Sequence, residues 1–138
     1  MREPVDRIIS NYYFAMQRVR DGKALARKAH TKAFSLLEYA RIEENRNRAA
    51  MLLEGTKVED LFYIGFYEEL EQDTRKLGEL LGWTDFFQMP HQKSGSDFLE
   101  NNDCKTQFQD ITEEMRQEIA KLNELDVILY KQALDTRK

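Results

Sequence analysis

The residues of this chain best suited to chemistry stand at its start. Arg2 precedes a proline, Pro4, and Ser10 follows that proline by six residues. An arginine just ahead of a helix offers charge-assisted, bidentate hydrogen bonds to a phosphate or sulfate group. A serine hydroxyl on the same helix donates another, and the positive end of the helix dipole favours the same charge. The chemistry on offer is anion binding. Read from the residues alone, a solvated arginine and an ordinary surface serine also account for the pattern. Other chemistries find no constellation. His30 and His91 are far apart, and no His, Cys, Asp and Glu set stands at metal-ligand spacing, so no metal is expected. Cys104 has no identifiable base partner and reads as inert. Glu113 and Glu114 read as a helix-start charge pair, and Tyr12, Tyr13 and Phe14 as core rather than a stacking platform.

The elements that must position these residues are mostly helical. A first helix is predicted from about Pro4 to Arg20, with Ile8, Tyr12, Met16 and Val19 on one face and Asp21-Gly22 as its end. Further helices are predicted over roughly 29–41 and 44–54, the second stopping at Gly55. Leu61-Phe62-Tyr63-Ile64-Gly65 is a short apolar, aromatic and β-branched run and reads as a buried strand. A helix from about Tyr67 to Leu81 follows, with Phe66, Leu70, Leu77, Leu80 and Leu81 facing inward and Gly82 at its end. A long irregular stretch, 83–109, separates it from a last helix over about 112–136. Ile111, Met115, Ile119, Leu122, Leu129 and Ala133 form that helix's apolar stripe, with Asp110 or Thr112 as its cap.

Composition bounds the class. With 138 residues, 41% apolar and 33% charged, the chain reads as one globular domain. A net charge of −4 argues against nucleic acid as the main partner, since phosphate backbones require clustered cations. No apolar run approaches the roughly 20 residues of a membrane span. Neither a signal-peptide pattern nor a second cysteine is present, so a reducing, cytoplasmic setting is expected.

Three segments, in order, resemble the sulfotransferases that use 3′-phosphoadenosine 5′-phosphosulfate. Arg2-x-Pro4, with Ser10 and then Tyr12, is similar to their 3′-phosphate-binding motif. Tyr63-Ile64-Gly65-Phe66-Tyr67-Glu68-Glu69-Leu70, continued to Leu80-Leu81-Gly82-Trp83, resembles their strand-Gly-x-x-Glu-helix segment. Ile111 to Met115, continued to Leu125-Asp126-Val127-Ile128-Leu129-Tyr130, resembles their C-terminal helix. The likeness is greatest to the carbohydrate-sulfotransferase branch. It implies that Arg2 and Ser10 hold the 3′-phosphate of the sulfate donor. It also sets Lys93 and Ser94, beside Gly95, where the family closes a loop over the donor nucleotide; an exposed loop lysine is the plain alternative. Asn47, Leu53 and Gly55 fit a further family segment, but Ala49 and Met51 stand where its Gln and Arg would be.

The fold class expected is mainly α with one short strand, the C-terminal portion of a P-loop-like α/β sulfotransferase fold. The resemblance implies a nucleotide sulfate donor and a hydroxyl acceptor, with a saccharide as one candidate. The N-terminal half that would cradle the phosphosulfate and supply the base has no counterpart here, and no Gly-rich phosphate loop occurs. This chain is therefore expected to be incomplete and inactive alone, and catalytic residues are not assigned. The lone strand would leave an open edge and promote a homo-oligomer. The alternative from a different class is a non-catalytic helical interaction module.

Overall fold

A computed structural model describes residues 1–20, 35–84 and 110–137. Helix α1 runs Pro4–Arg20, the bounds expected from its periodicity. Pro4 occupies the first turn, where a missing N–H costs nothing. The Glu3 carboxylate accepts a hydrogen bond from the Asp6 N–H at 2.7 Å and so closes the helix start. Val5, Ile8, Ile9, Tyr13 and Ala15 make the buried face. Asp21-Gly22 lies outside the described residues.

Helix α2 spans Leu36–Arg41. A helix running unbroken through 29–41 is corrected at Ser35, whose ψ of 161° is extended. Ser35 and Glu38 form a capping box: the serine hydroxyl accepts from the Glu38 N–H at 3.3 Å, and the glutamate accepts from the Ser35 N–H at 2.7 Å. This arrangement satisfies two N–H groups that the first turn would otherwise leave open.

The single helix expected over 44–54 is also broken. A 3-10 turn at Glu43–Asn45 leads to Asn47 in the left-handed region, at φ 47°, and α3 covers only Arg48–Leu52. Gly55, at φ 80°, ends this stretch as expected. The predicted strand is corrected too. Among the described residues no strand forms, and the backbone is extended at Leu61 and again at Phe66, with a bend at Phe62 between them. A strand needs a ladder partner, and among the described residues this segment finds one residue only: the Gly65 carbonyl accepts from Met1 N, and the Met1 carbonyl accepts from Tyr67 N at 2.6 Å.

A 3-10 turn at Tyr67–Glu69 feeds α4, Leu70–Leu80. Its end is a Schellman motif, with Trp83 N bonded to the Gly78 carbonyl at 2.8 Å and Gly82 N to the Glu79 carbonyl at 3.2 Å. Gly82 takes the left-handed conformation that this motif requires, at φ 69°. Phe66 is buried as expected, but Leu70, Leu80 and Leu81 are exposed rather than inward.

The last helix is two helices. α5, Glu113–Leu122, is capped by the Thr112 hydroxyl, which accepts from Met115 N at 3.3 Å. α6 covers Glu124–Thr136. Asn123 breaks the run, because its side-chain amide turns back to the Ile119 carbonyl at 2.9 Å. Two cores result. The larger joins α1, α2 and α5 through Ile8, Leu36, Tyr39, Ala40 and Ile119. The smaller joins Val58, Phe66 and Ala133, with Met1, Ile64, Leu129 and Tyr130 packed against them. The fold is mainly helical, and among the described residues no helix is long and apolar enough to cross a membrane.

Candidate functional site

The start of the chain, the extended segment and α4 enclose a cleft of about 500 Å³, lined by Arg2, Tyr63, Phe66, Tyr67, Leu70 and Asp73 among others. Two cations line it, the Met1 ammonium, which donates to the Gly65 carbonyl, and the Arg2 guanidinium. The guanidinium carbon lies 4.4 Å from the centre of the Tyr67 ring, a cation–π contact. Among the described residues Arg2 makes no ion pair or hydrogen bond, so its donors remain available to an anion. The α1 N-terminus does not add to this site, since the Glu3 carboxylate already fills it. An anion here would rest on the guanidinium rather than on the helix dipole.

Ser10, the second sequence candidate, sits on α1, two turns in, partly buried. It does not line the cleft. Lys93 and Ser94 lie outside the described residues, as do His30, His91 and Cys104. Among the described residues no group of three or more His, Cys, Asp or Glu side chains could hold a metal ion.

Sequence reasoning missed the polar floor of the cleft. Asp73 is only 2% exposed. One carboxylate oxygen accepts from the Phe66 N–H at 2.6 Å. The other accepts from the Arg137 guanidinium, which also bonds Glu69 at 2.8 Å. Tyr63 donates its hydroxyl proton to the Asp73 backbone carbonyl at 2.9 Å. The Tyr63 phenol is held above its ordinary range, first by desolvation and then by the Asp73 charge. Arg137 also stacks over the Phe66 ring at 4.9 Å, and Phe66 meets Tyr130 edge-on at 5.5 Å. The helix-forming segment did carry a signal for this floor: Asp73 falls between Leu70 and Leu77 on one face, a carboxylate inside an apolar stripe. Such a group stays buried only when paired.

A second polar cluster ties α1, α3 and α6 together. Asp126, also 2% exposed, accepts from Arg7 at 3.0 Å, from Ala49 N at 3.3 Å and from Ala50 N at 2.8 Å. Asn123 accepts from Arg7 at 3.1 Å and from Asn47 N at 3.1 Å. Burial lowers the Arg7 pKa, while the Asp126 charge opposes that shift. The carboxylate here is saturated by backbone and guanidinium donors, which makes this a structural joint rather than a reactive centre.

No family model matches the chain, and no characterised protein or solved structure matches it either.

Proposed function

We propose that this chain carries the 3′-phosphate-binding element of a sulfotransferase that uses 3′-phosphoadenosine 5′-phosphosulfate, with Arg2 as the phosphate ligand. One observation supports the reading above the rest: Arg2 faces an open cleft with no carboxylate partner among the described residues. A guanidinium left unpaired in a chain of net charge −4 suits a doubly charged phosphate. Ser10 and, from the long connection, Lys93 and Ser94 are proposed as further donors to the same nucleotide. In the reaction, an acceptor oxygen forms a bond to sulfur, the bond from sulfur to the 5′-phosphate breaks, and the acceptor proton passes to a base. A saccharide hydroxyl is the acceptor class favoured by the resemblance. Binding the 3′-phosphate fixes one end of the donor, whereas transition-state stabilisation is needed at the other. No residue of this chain is assigned to that end, so the chain alone is proposed to bind without transferring.

Calorimetric titration with adenosine 3′,5′-bisphosphate and with adenosine 5′-monophosphate tests this. The bisphosphate is expected to bind and the monophosphate to bind far more weakly. Losing a charged hydrogen bond costs about 1.5–3 kcal/mol, so Arg2→Ala should weaken bisphosphate binding by roughly tenfold to a hundredfold. Arg2→Lys should recover part of the loss, since a point charge replaces a fork. Equal affinity for the two nucleotides, or an Arg2→Ala variant that binds as the parent does, would remove Arg2 and this reading with it.

A further inference from the structure

The outer side of α6 carries an apolar pair between two opposite charges. Asp126 and Ala133 turn the inner side of this helix into the body of the fold. On the other side Leu125 is 57% exposed and Ile128 46%. They stand three residues apart and are neighbours on one face. Met51 and Leu52 on α3 are exposed as well, and α3 is fastened to the start of α6 through Asp126. Glu124 and Lys131 bracket the apolar pair. Both are exposed, and neither has an ion-pair partner among the described residues. Seven positions of an α-helix make two turns, so these two charges lie on one strip, about 10.5 Å apart along the axis. The start of the chain does not bear on this face, because Met1 packs on the Ala133 side of the helix.

We propose that this face pairs with the same face of a second copy of the chain, α6 against α6 and antiparallel, about a two-fold axis beside Ile128. The placement of charge selects this occupant. A two-fold axis across an antiparallel helix pair brings the same flank of each helix together with its direction reversed. The midpoint between Glu124 and Lys131 falls between Val127 and Ile128. Glu124 of one copy therefore meets the partner's Lys131, and the contact occurs twice. The two Ile128 side chains meet at the centre, with a Leu125 on either side. A parallel copy would instead set Glu124 beside Glu124 and Lys131 beside Lys131. One helix of 13 residues gives a small interface, below the roughly 800 Å² per partner of standard complexes, so the dimer is expected to form and separate with concentration. The proposal does not depend on the reading of Arg2.

Sedimentation equilibrium of the full chain, from low micromolar to near-millimolar concentration, tests this. The mass is expected to rise from monomer to dimer and no further, because a two-fold contact closes on itself. Glu124→Lys and Lys131→Glu each set like charges together at both contacts, and each alone should weaken the dimer by about tenfold. Mixing these two variants should restore association, now as a heterodimer, and the double variant E124K/K131E should associate as the parent does. That rescue, with helix content by circular dichroism equal to the parent's, separates lost contact from lost folding. Ile128→Asp should remove the dimer altogether. A parent chain that stays monomeric throughout, single variants that associate as tightly as the parent, or a double variant as weak as the single ones each overturns the proposal. So does an Ile128→Asp variant that still dimerises, since the contact would then lie on another face.

Discussion

Asn47 and Asp126 cap each other's helices. The Asn47 side-chain oxygen accepts from the N–H groups of Leu125 at 3.1 Å and Asp126 at 3.3 Å, at the start of α6. The Asp126 carboxylate accepts from Ala49 and Ala50 at the start of α3. Each side chain satisfies donors that the other's helix leaves open. Asp126→Ala should therefore cost about 3–5 kcal/mol, because it also strands the Arg7 charge in a partly buried site. Urea unfolding followed by circular dichroism measures it. A loss below 1 kcal/mol would mean that water replaces the carboxylate.

Asn47 separates two effects that its position combines. Its backbone is left-handed, and its side chain is a cap. Asn47→Ala loses both and should cost about 1–2 kcal/mol for the cap, with conformational strain in addition. Asn47→Gly keeps the backbone freedom and should cost less than the alanine variant. Equal losses for the two would show that the cap alone matters.

The Asp73–Arg137 pair is expected to matter far more than surface pairs of similar geometry. Arg137→Ala leaves the Asp73 carboxylate buried with only Phe66 N and Tyr63 near it, and a loss of about 1–3 kcal/mol is expected. Arg41 and Glu118, joined at 2.6 Å, are both exposed, and Arg41→Ala should cost less than about 1 kcal/mol. Thermal melts of the two variants decide it. A larger loss at Arg41 than at Arg137 would contradict the ranking of buried over exposed pairs.

Alkaline pH should unfold the chain through its tyrosines. Burial is the largest cause raising the phenol pKa of Tyr12, Tyr13 and Tyr39, which sit together in or against the larger core. The unfolded chain releases these protons near pH 10, while the folded chain retains them. Their contribution is thus whole below about pH 10 and is lost as pH rises through the folded values. Phenolate absorbance and helix content, followed together from pH 8 to 12, should change in one late step for these residues. Phenolate appearing at the ordinary value with helix content intact would sink the prediction.

The elements that the sequence made legible are those decided within a few residues. Pro4 and the apolar spacing after it set α1, and Gly55, Gly82 and Thr112 mark ends that local chemistry dictates. The capping box at Ser35 and Glu38 was equally local, and reading it would have corrected the start of α2. Asn47 was not readable in this way, because its left-handed turn is held by donors on α6, 78 and 79 positions away. The same is true of Asn123, whose break is rewarded by Arg7 and Asn47. At the candidate site, Arg2 was legible from its setting before Pro4, whereas the floor was not: Arg137 reaches Asp73 across 64 positions. The apolar run at 61–65 had the composition of a strand, but composition does not supply neighbours.

The joints that hold α1 have a consequence for how the chain is made. Arg7 meets Asp126 across 119 positions, and Asp6 meets Arg116 across 110. During synthesis, α1 leaves the ribosome long before α5 and α6 exist to cover Ile8 and Ile9. At about 5–20 residues per second, its apolar side is open to other molecules for on the order of ten seconds. Full shelter for α1 thus waits on α5, and chaperones that hold nascent chains have their opportunity there.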